Sequence, residues 1–509
     1  MHDIMKAEEI QLENLKYIYF IGIGGIGMSA LARWFVHNGK MVAGYDKTQT
    51  PLTQNLEKEG IKLSYEDNVD KIPEEIRTYP DETLVILTPA VPKSHSELLF
   101  FQRNGYTILK RAAVLGMLTR SFNTIAVAGT HGKTTTSTMI AHILKFGGIN
   151  CTAFLGGISA NFNSNLLINT KDSRKDVWAV VEADEFDRSF LHLSPTITVI
   201  TSTDADHLDI YGEKKELEKS FAEFASQTKD EGLLYTQENI STSVKEAKPK
   251  NVKAYDYRAL RGYGVPNLPV YSVAIKPDEE HENACRFDYI DNTLEIPTRI
   301  SSLQLFMPGY HNVENMSVAI AVALKVGVNI DDIRDAVRTF RGVKRRFEYI
   351  FRSKQVVYID DYAHHPTEIS ALLSSVKHLY PEKKITAIFQ PHLFSRTRDF
   401  QEEFAQSLSL ENENDELIML NIYPARELPI EGITSQVVLD KVKAKNKTLL
   451  EDNALLDYLE QRIDNDEIEV LITLGAGDID RFVKPIHTLL ENKHHYYKQN
   501  GRRKSDRGF

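Results

Sequence analysis

Apolar positions along the chain fall into short continuous runs separated by stretches with helical spacing. Tyr17–Ile21, Met41–Tyr45 and Leu84–Leu87 read as buried strands, and the helix after the first carries Leu31, Trp34 and Phe35. Strands that alternate with helices imply a parallel α/β sheet. A second block begins near Ser121. Its strands are Thr124–Ala128, Val177–Val181 and Thr196–Thr201. From Thr134 onward Met139, Ile140, Ile143 and Leu144 share one helical face until Gly147-Gly148 stops it. Between about 230 and 300 the pattern is more polar and predicts mixed short strands and loops. A third block begins near Val343, with strands at Val356–Ile359, Ile385–Phe389, Leu417–Leu420 and Val470–Leu474. Its clearest helix places Ile369, Leu372, Leu373 and Val376 on one face, with Pro366 in the first turn, where a missing N–H costs little.

Length agrees with these blocks. At roughly 150 residues per domain, 509 residues suggest about three. The division expected is 1–120, 121–342 and 343–492, with a basic tail over 493–509. That tail has six cations (Lys493, Lys498, Arg502, Arg503, Lys504, Arg507) against Asp506 and is expected to be disordered. A net charge of −10 argues against a nucleic-acid partner. With two cysteines, Cys151 and Cys285, a disulfide framework is excluded. The most membrane-like stretch, Tyr17–Ala32, holds four glycines and is too short to span, so no membrane partner is expected. The N-terminus lacks a signal-peptide core. A cytoplasmic protein, monomer or homodimer, is the expectation.

Candidate chemistry sits where strands end. Gly22, Gly24, Gly25 and Gly27 follow the first strand and open a helix, a spacing that brings backbone close to a diphosphate. Asp46 ends the next strand, where a ribose-binding acid would sit. A tight turn with no ligand has the same glycines, and the motif does not separate a nicotinamide cofactor from another nucleotide diphosphate. The stretch Gly129-Thr130-His131-Gly132-Lys133-Thr134-Thr135 joins a strand to a helix more distinctively. Its amides can cradle phosphates, Lys133 can reach the terminal oxygens and Thr134 can hold Mg²⁺. The first glycine of the general phosphate-loop pattern would fall at Val127, so the loop departs from that pattern.

Two acidic clusters, Glu182-Ala183-Asp184-Glu185 and Asp204-Ala205-Asp206-His207-Leu208-Asp209, follow later strands of the same block. In a parallel sheet both lie at the ligand edge, where carboxylate and imidazole can hold Mg²⁺. Alone, each reads as a solvated turn. His311-Asn312 and Asn315 read as a helix start, and Lys344-Arg345-Arg346 as a basic turn. Strands of the third block end in Asp360-Asp361-Tyr362-Ala363-His364-His365, Gln390-Pro391-His392 (followed by Arg396), Tyr423-Pro424-Ala425-Arg426-Glu427 and Gly475-Ala476-Gly477-Asp478. Such ends build a site in a doubly wound domain, although each alone is more often a loop.

Taken together, these strings resemble the Mur ligases, the ATP-dependent amide-forming enzymes of peptidoglycan assembly. They run from GIGGIGMSALA at 22–32 through AGTHGKTTT at 128–136, VEADEFDRSFL at 181–191, DADHLDIY at 204–211 and GYHNVENMSVAIA at 309–321. GVKRRFE at 342–348, DDYAHHPTEI at 360–369, FQPHLFSRTRDF at 389–400, IYPARELPIEG at 422–432 and LGAGDID at 474–480 complete the set. The paired histidines and the Tyr-Pro-Ala-Arg-Glu string are similar to the branch that joins L-alanine to UDP-N-acetylmuramate. The resemblance implies an N-terminal Rossmann-like UDP-binding domain, a central P-loop ATPase with a mixed sheet, and a C-terminal Rossmann-like α/β domain.

It further implies a UDP-sugar site at the glycine turn, Asp46, Thr88 and Arg111. It implies ATP at the 129–135 loop with Asn312, Arg346 and Asp361, one Mg²⁺ on Thr134 and Glu182, and a second on His207. L-Alanine would lie among Tyr362, His364, His392 and Arg396. Lys133, Glu182, His207, His364 and Arg396 would be catalytic. Phe186 stands where many alanine-adding members carry serine, and Leu393 where some place arginine. An aromatic at 186 is also a feature of relatives that attach a whole recycled peptide. A nicotinamide-dependent dehydrogenase, argued from the first glycines alone, leaves Lys133 and both acidic clusters unexplained.

Overall fold

The computed structural model describes residues 10–89, 91–169, 177–204, 211, 214–247, 252–259, 270–277, 284–293, 296–307, 309–410, 412–425 and 427–505. The chain divides into two compact units, Met1–Val343 and Lys344–Phe509. The first unit carries two sheets and the second one. Strands β1 (Tyr17–Ile21), β2 (Met41–Tyr45), β3 (Lys62–Ser64), β4 (Thr83–Leu87) and β5 (Thr107–Lys110) form a parallel sheet ordered β3-β2-β1-β4-β5. The order reverses beside β1, which places a crevice at its carboxyl end. Helices α1 (Ile26–His37), α2 (Ser96–Arg103) and α3 (Arg111–Thr119) pack on this sheet.

The second sheet contains β6 (Asn123–Ala128), β7 (Cys151–Ser159), β8 (Ser164–Leu167), β9 (Trp178–Glu182), β10 (Ile197–Ile200), β11 (Leu233–Gln237), β12 (Val252–Ala259), β13 (Val270–Pro277), β14 (Cys285–Asp291) and β15 (Thr298–Leu305). Its order is β15-β14-β13-β12-β11-β10-β6-β9-β7-β8. It is parallel through the middle and antiparallel at β7–β8 and across β13–β15, hence mixed. Helix α4 (Lys133–Phe146) follows β6, and α5 (Tyr310–Val326) packs beside it. One apolar cluster includes Phe20, Phe35 and Leu118 together with Val181, Phe190 and Phe221, so the two sheets share a core.

The region 230–300 is more regular than the short strands and loops expected. Tyr255, Phe287, Tyr289, Ile300, Leu303 and Leu305 are buried against the α5 side of the core. Their polar neighbours in sequence, such as Arg286, Asp288 and Arg299, interrupt the apolar pattern and hide the strands.

In the second unit β16 (Glu348–Arg352), β17 (Val357–Asp361), β18 (Ile385–Phe389), β19 (Glu416–Met419), β20 (Asn446–Leu449) and β21 (Val470–Leu474) are ordered β16-β17-β21-β18-β19-β20. All pairings are parallel except that of the edge strand β16. Asp360 and Asp361 lie inside β17, paired with Thr473 and Leu474, where the sequence pattern ended the strand before them. Its helices include α6 (Pro366–Leu379), α7 (Phe394–Asp399) and α8 (Val483–Ser505). The expected disordered tail is helical through Ser505. Buried Ile486 and Leu490 anchor α8, and Lys493 Nζ donates to the Asp464 carbonyl at 2.6 Å. Residues 506–509 of the tail lie outside the described residues.

A buried carboxyl in α2 makes stability depend on pH. Glu97 is fully buried and accepts the Tyr19 hydroxyl at 2.9 Å. Burial pushes it up to about 7 from 4.5. The folded state therefore holds the proton more tightly. That stability is complete below about pH 4.5 and is lost as pH rises through about 7. Glu97→Gln, which can still accept from Tyr19, is expected to flatten this part of the pH dependence. Urea midpoints measured at about pH 5 and about pH 8 check it; the same decline in both proteins would refute the assignment.

Candidate functional site

The first glycine turn is held by the strands around it. Gly22 has φ +86°, and its amide and that of Ile23 both donate to the Tyr45 carbonyl, at 2.8 and 3.0 Å. A Cβ at Gly22 would lie 2.4 Å from Thr88 Cγ2, and one at Gly27 would lie 2.6 Å from Arg111 Nη1. Thr88 and Arg111 are thus brought to the turn from β4 and α3. The Gly25 N-cap of α1 has no side-chain cap. Asp46 Oδ2 accepts the Gly24 amide at 2.7 Å. Its carboxylate thus ties the turn together as well as standing where a ribose acid was expected. Arg111 Nη2 also lies 3.4 Å from Asp184 Oδ2.

The second loop leaves β6 for α4. Gly129 (φ +132°) and Gly132 (φ +81°) are both in the region that disfavours a side chain. A Cβ at Gly129 would collide with Thr201 Oγ1 at 2.1 Å. The loop is fastened to the end of β10: the His131 amide donates to Ser202 Oγ at 2.8 Å, and Thr130 and Ser202 share a hydroxyl bond of 2.9 Å. Thr134 and Thr135 are buried in the first turn of α4. A 14-residue helix opening on such a loop presents unpaired amides to an anion.

Lys133 Nζ donates to the Gly129 carbonyl at 2.7 Å and to Glu185 Oε1 at 2.9 Å. Burial disfavours its charge, but Glu185, Glu182 and Asp184 outweigh that and raise its pKa. Lys133 is therefore an ammonium at any working pH.

Glu182 ends β9 and lies across Gly156 of β7, where a Cβ would come within 2.1 Å of the carboxylate. Its Oε2 is buried with no hydrogen-bond partner among the described residues. A Cβ at Gly157 would meet Thr134 Cγ2 at 2.9 Å, so Thr134 and Glu182 both lie against β7. A buried carboxylate oxygen with no protein partner among the described residues suits Mg²⁺, and Glu182 fits it. His207, with Asp206 and Asp209, lies outside the described residues. Among the described residues, no group of three or more His, Cys, Asp or Glu could hold a metal.

Asn312 is buried in the first turn of α5. The residue that meets the loop is Asn315, whose Oδ1 would lie 3.0 Å from a Cβ at Gly132. From the sequence, Asn315 reads only as part of a helix start. Its spacing of three from Asn312, which puts the two on one helix face, was the available signal.

In the second unit, polar strand ends gather. Arg345 (φ +60°) and Phe347 (φ +49°) hold a strained turn around Arg346, costing about 1–3 kcal/mol per residue. The turn is fixed by Arg345, which donates to Asp360 Oδ2 at 3.2 Å and the Gly475 carbonyl at 2.7 Å. Arg346 Cζ lies 5.2 Å from the Tyr362 ring centroid. Asp361 is held by the backbone around it: its two oxygens accept the Phe347 and Ala363 amides, at 2.6 and 2.7 Å. Burial pushes it up to about 6.

The histidine pair divides its work. His365 is the N-cap of α6, and Glu368 accepts the amides of His364 and His365 to complete a capping box. His364 packs edge-on against Tyr362 at 5.3 Å and against His392 at 6.0 Å. His392 in turn stacks on Tyr423 at 5.8 Å. Burial, with Arg396 and Arg346 adding to it, outweighs Glu368 and pushes His364 down to about 4. His364 is thus neutral at neutral pH. Its Nδ1 lies 3.0 Å from the Tyr362 carbonyl, which can only accept, so the proton sits on Nδ1. Arg396 projects from α7, behind Leu393 (φ +72°). Tyr362, His364, His392 and Arg396 are thereby brought to one end of the sheet. Arg426 lies outside the described residues.

Three family models match the chain in order. "Mur ligase family, catalytic domain" covers 17–123, "Mur ligase middle domain" 127–323 and "Mur ligase, glutamate ligase domain" 345–477. The UDP-N-acetylmuramate–L-alanine ligase of Cytophaga hutchinsonii is 46% identical over 492 residues, covering 97% of this chain and all of that one. Its counterpart in Christiangramia forsetii is 47% identical over 480 residues, covering 94% and 98%. Among solved structures, a UDP-N-acetylmuramate-alanine ligase from Thermotoga maritima superposes with a TM-score of 0.74 at 29% identity, covering 94% of this chain and 99% of that one. Matched from the first glycine turn to the last strand of the third sheet, the chain belongs to the Mur ligase family.

Proposed function

We propose that the chain joins L-alanine to the lactyl carboxylate of UDP-N-acetylmuramate, converting ATP to ADP and phosphate. The observation that carries this is end-to-end similarity to ligases of that name, and the contacts of Lys133 and Glu182 beside the Gly129–Thr135 loop support it. A carboxylate does not condense with an amine unaided. Its oxygen takes the γ-phosphoryl group of ATP, ADP leaves, and the amine attacks the resulting acyl phosphate. Phosphate departs and the nitrogen gives up a proton.

Phosphoryl transfer needs charge neutralisation and alignment more than covalent help. The Gly129–Thr135 loop would hold the phosphates and Lys133 would neutralise a terminal oxygen. Thr134 and Glu182 would hold one Mg²⁺ and His207 a second, which supply further neutralisation when bound. Asn312 and Arg346 would serve the nucleotide, and Asp361 would shape the turn beside Arg346. The turn at Gly22–Gly27, with Asp46, Thr88 and Arg111, would take the UDP moiety. In the second unit Arg396 would bind the alanine carboxylate, and neutral His364 would offer Nε2 as an acceptor for an amine N–H. Tyr362 and His392 would wall the pocket. No helix among the described residues is long and apolar enough to cross a membrane, which accords with work on a nucleotide-linked precursor in the cytoplasm. The test is phosphate release with ATP, Mg²⁺ and UDP-N-acetylmuramate, comparing L-alanine with an L-alanyl tripeptide as acceptor.

A further inference from the structure

The ammonium of Lys133 has three protons, and three acceptors surround it. The Gly129 carbonyl and Glu185 Oε1 are close, at 2.7 and 2.9 Å, while the Thr130 carbonyl is distant at 3.4 Å. Glu185 is fully buried. Its own backbone is fixed, because its carbonyl accepts the Tyr211 hydroxyl at 2.6 Å and the Arg188 amide at 3.0 Å. It lies three residues beyond Glu182 on the loop leaving β9, yet the two carboxylates face different groups. Glu182 turns across Gly156, and Glu185 grips the lysine.

We propose that Glu185 is a positioning residue for phosphoryl transfer: with the Gly129 carbonyl it pins two protons of Lys133, leaving the third for a terminal phosphate oxygen. This rests on the reading of Lys133 as the group that meets the nucleotide. A buried anion beside a polyphosphate also repels it. Removing that charge therefore acts oppositely on the two stages: ground-state binding is relieved, and alignment in the transition state is lost. A residue that merely supports the fold would weaken both.

The experiment uses Glu185→Gln, Glu185→Asp, Lys133→Ala and the Lys133→Ala/Glu185→Gln double variant. Each is assayed for turnover, for Mg-ADP affinity by calorimetry and for melting temperature. Expected for Glu185→Gln is a kcat lowered at least about tenfold, with Mg-ADP bound as tightly as by the unaltered chain or more tightly. Glu185→Asp, which keeps the charge, recovers part of kcat. In the Lys133→Ala background Glu185→Gln lowers kcat no further, because the two act as one unit. A Glu185→Gln kcat within about twofold of the unaltered chain, beside an inactive Lys133→Ala, would overturn this inference and leave the role of Lys133 standing. So would parallel losses of kcat, Mg-ADP affinity and melting temperature. Full activity in Lys133→Ala would instead overturn the underlying reading of the loop.

Discussion

Lys133→Ala is expected to lower ATP-dependent phosphate release by about a hundredfold or more. Charge accumulates on the oxygens of the transferring phosphoryl group, and on the proposed reading a fixed, largely buried ammonium would neutralise it. Its two close contacts, with the Gly129 carbonyl and Glu185, hold it in place before any nucleotide arrives, so no reorganisation is needed at the moment of transfer. The substitution also leaves Glu185 buried without its cation, which by itself costs about 3–5 kcal/mol. Lys133→Ala/Glu185→Gln removes that liability and separates catalysis from folding: it is expected to melt near the unaltered chain and still to be inactive. Steady-state phosphate release on both variants decides the matter. A rate within about threefold of the unaltered chain in either would remove Lys133 from the chemistry.

The second large effect is expected at the other end of the reaction. Arg396→Ala should raise the KM for L-alanine by about 10–100-fold, because a charge-assisted bond to a carboxylate contributes about 1.5–3 kcal/mol. Arg396 stands on a six-residue helix whose N-cap, Leu393, holds a positive φ that few side chains adopt, so the loop is committed to presenting this helix. Its charge is felt at His364, where with burial it keeps the imidazole neutral. Losing Arg396 therefore removes the carboxylate partner and lets His364 protonate more readily, which weakens it as an acceptor. Initial rates over a range of alanine concentrations, with ATP saturating, measure the KM. An unchanged KM for alanine would place the carboxylate elsewhere in the unit.

What could be read from the sequence was whatever is local in the chain. Glycine turns, the phosphate loop and the strands at Tyr17–Ile21, Ile385–Phe389 and Val470–Leu474 are contiguous patterns, and the structure has them at those residues. The full lengths of β14 and β15 were harder to read, because charged residues such as Arg286 and Arg299 stand among their buried ones, a pattern weaker than the continuous apolar runs of doubly covered strands. The contacts of Asn315, Glu185 and Asp361 were not legible for another reason. Each depends on what a side chain meets across space: Asn315 on Gly132, Glu185 on Lys133, Asp361 on the Phe347 and Ala363 amides. An acid at the end of a strand looks the same in sequence whether it binds a ligand or ties a turn. The histidine pair shows the same limit, since only the structure separates His365, which caps α6, from His364, which joins the cluster.

One assay addresses which acceptor the enzyme uses. Phosphate release is followed with ATP, Mg²⁺ and UDP-N-acetylmuramate, first without acceptor, then with L-alanine, then with an L-alanyl tripeptide. The account predicts that release depends on L-alanine and that the tripeptide gives no more than the acceptor-free rate. Release that is indifferent to L-alanine, or that responds to the tripeptide instead, would contradict it.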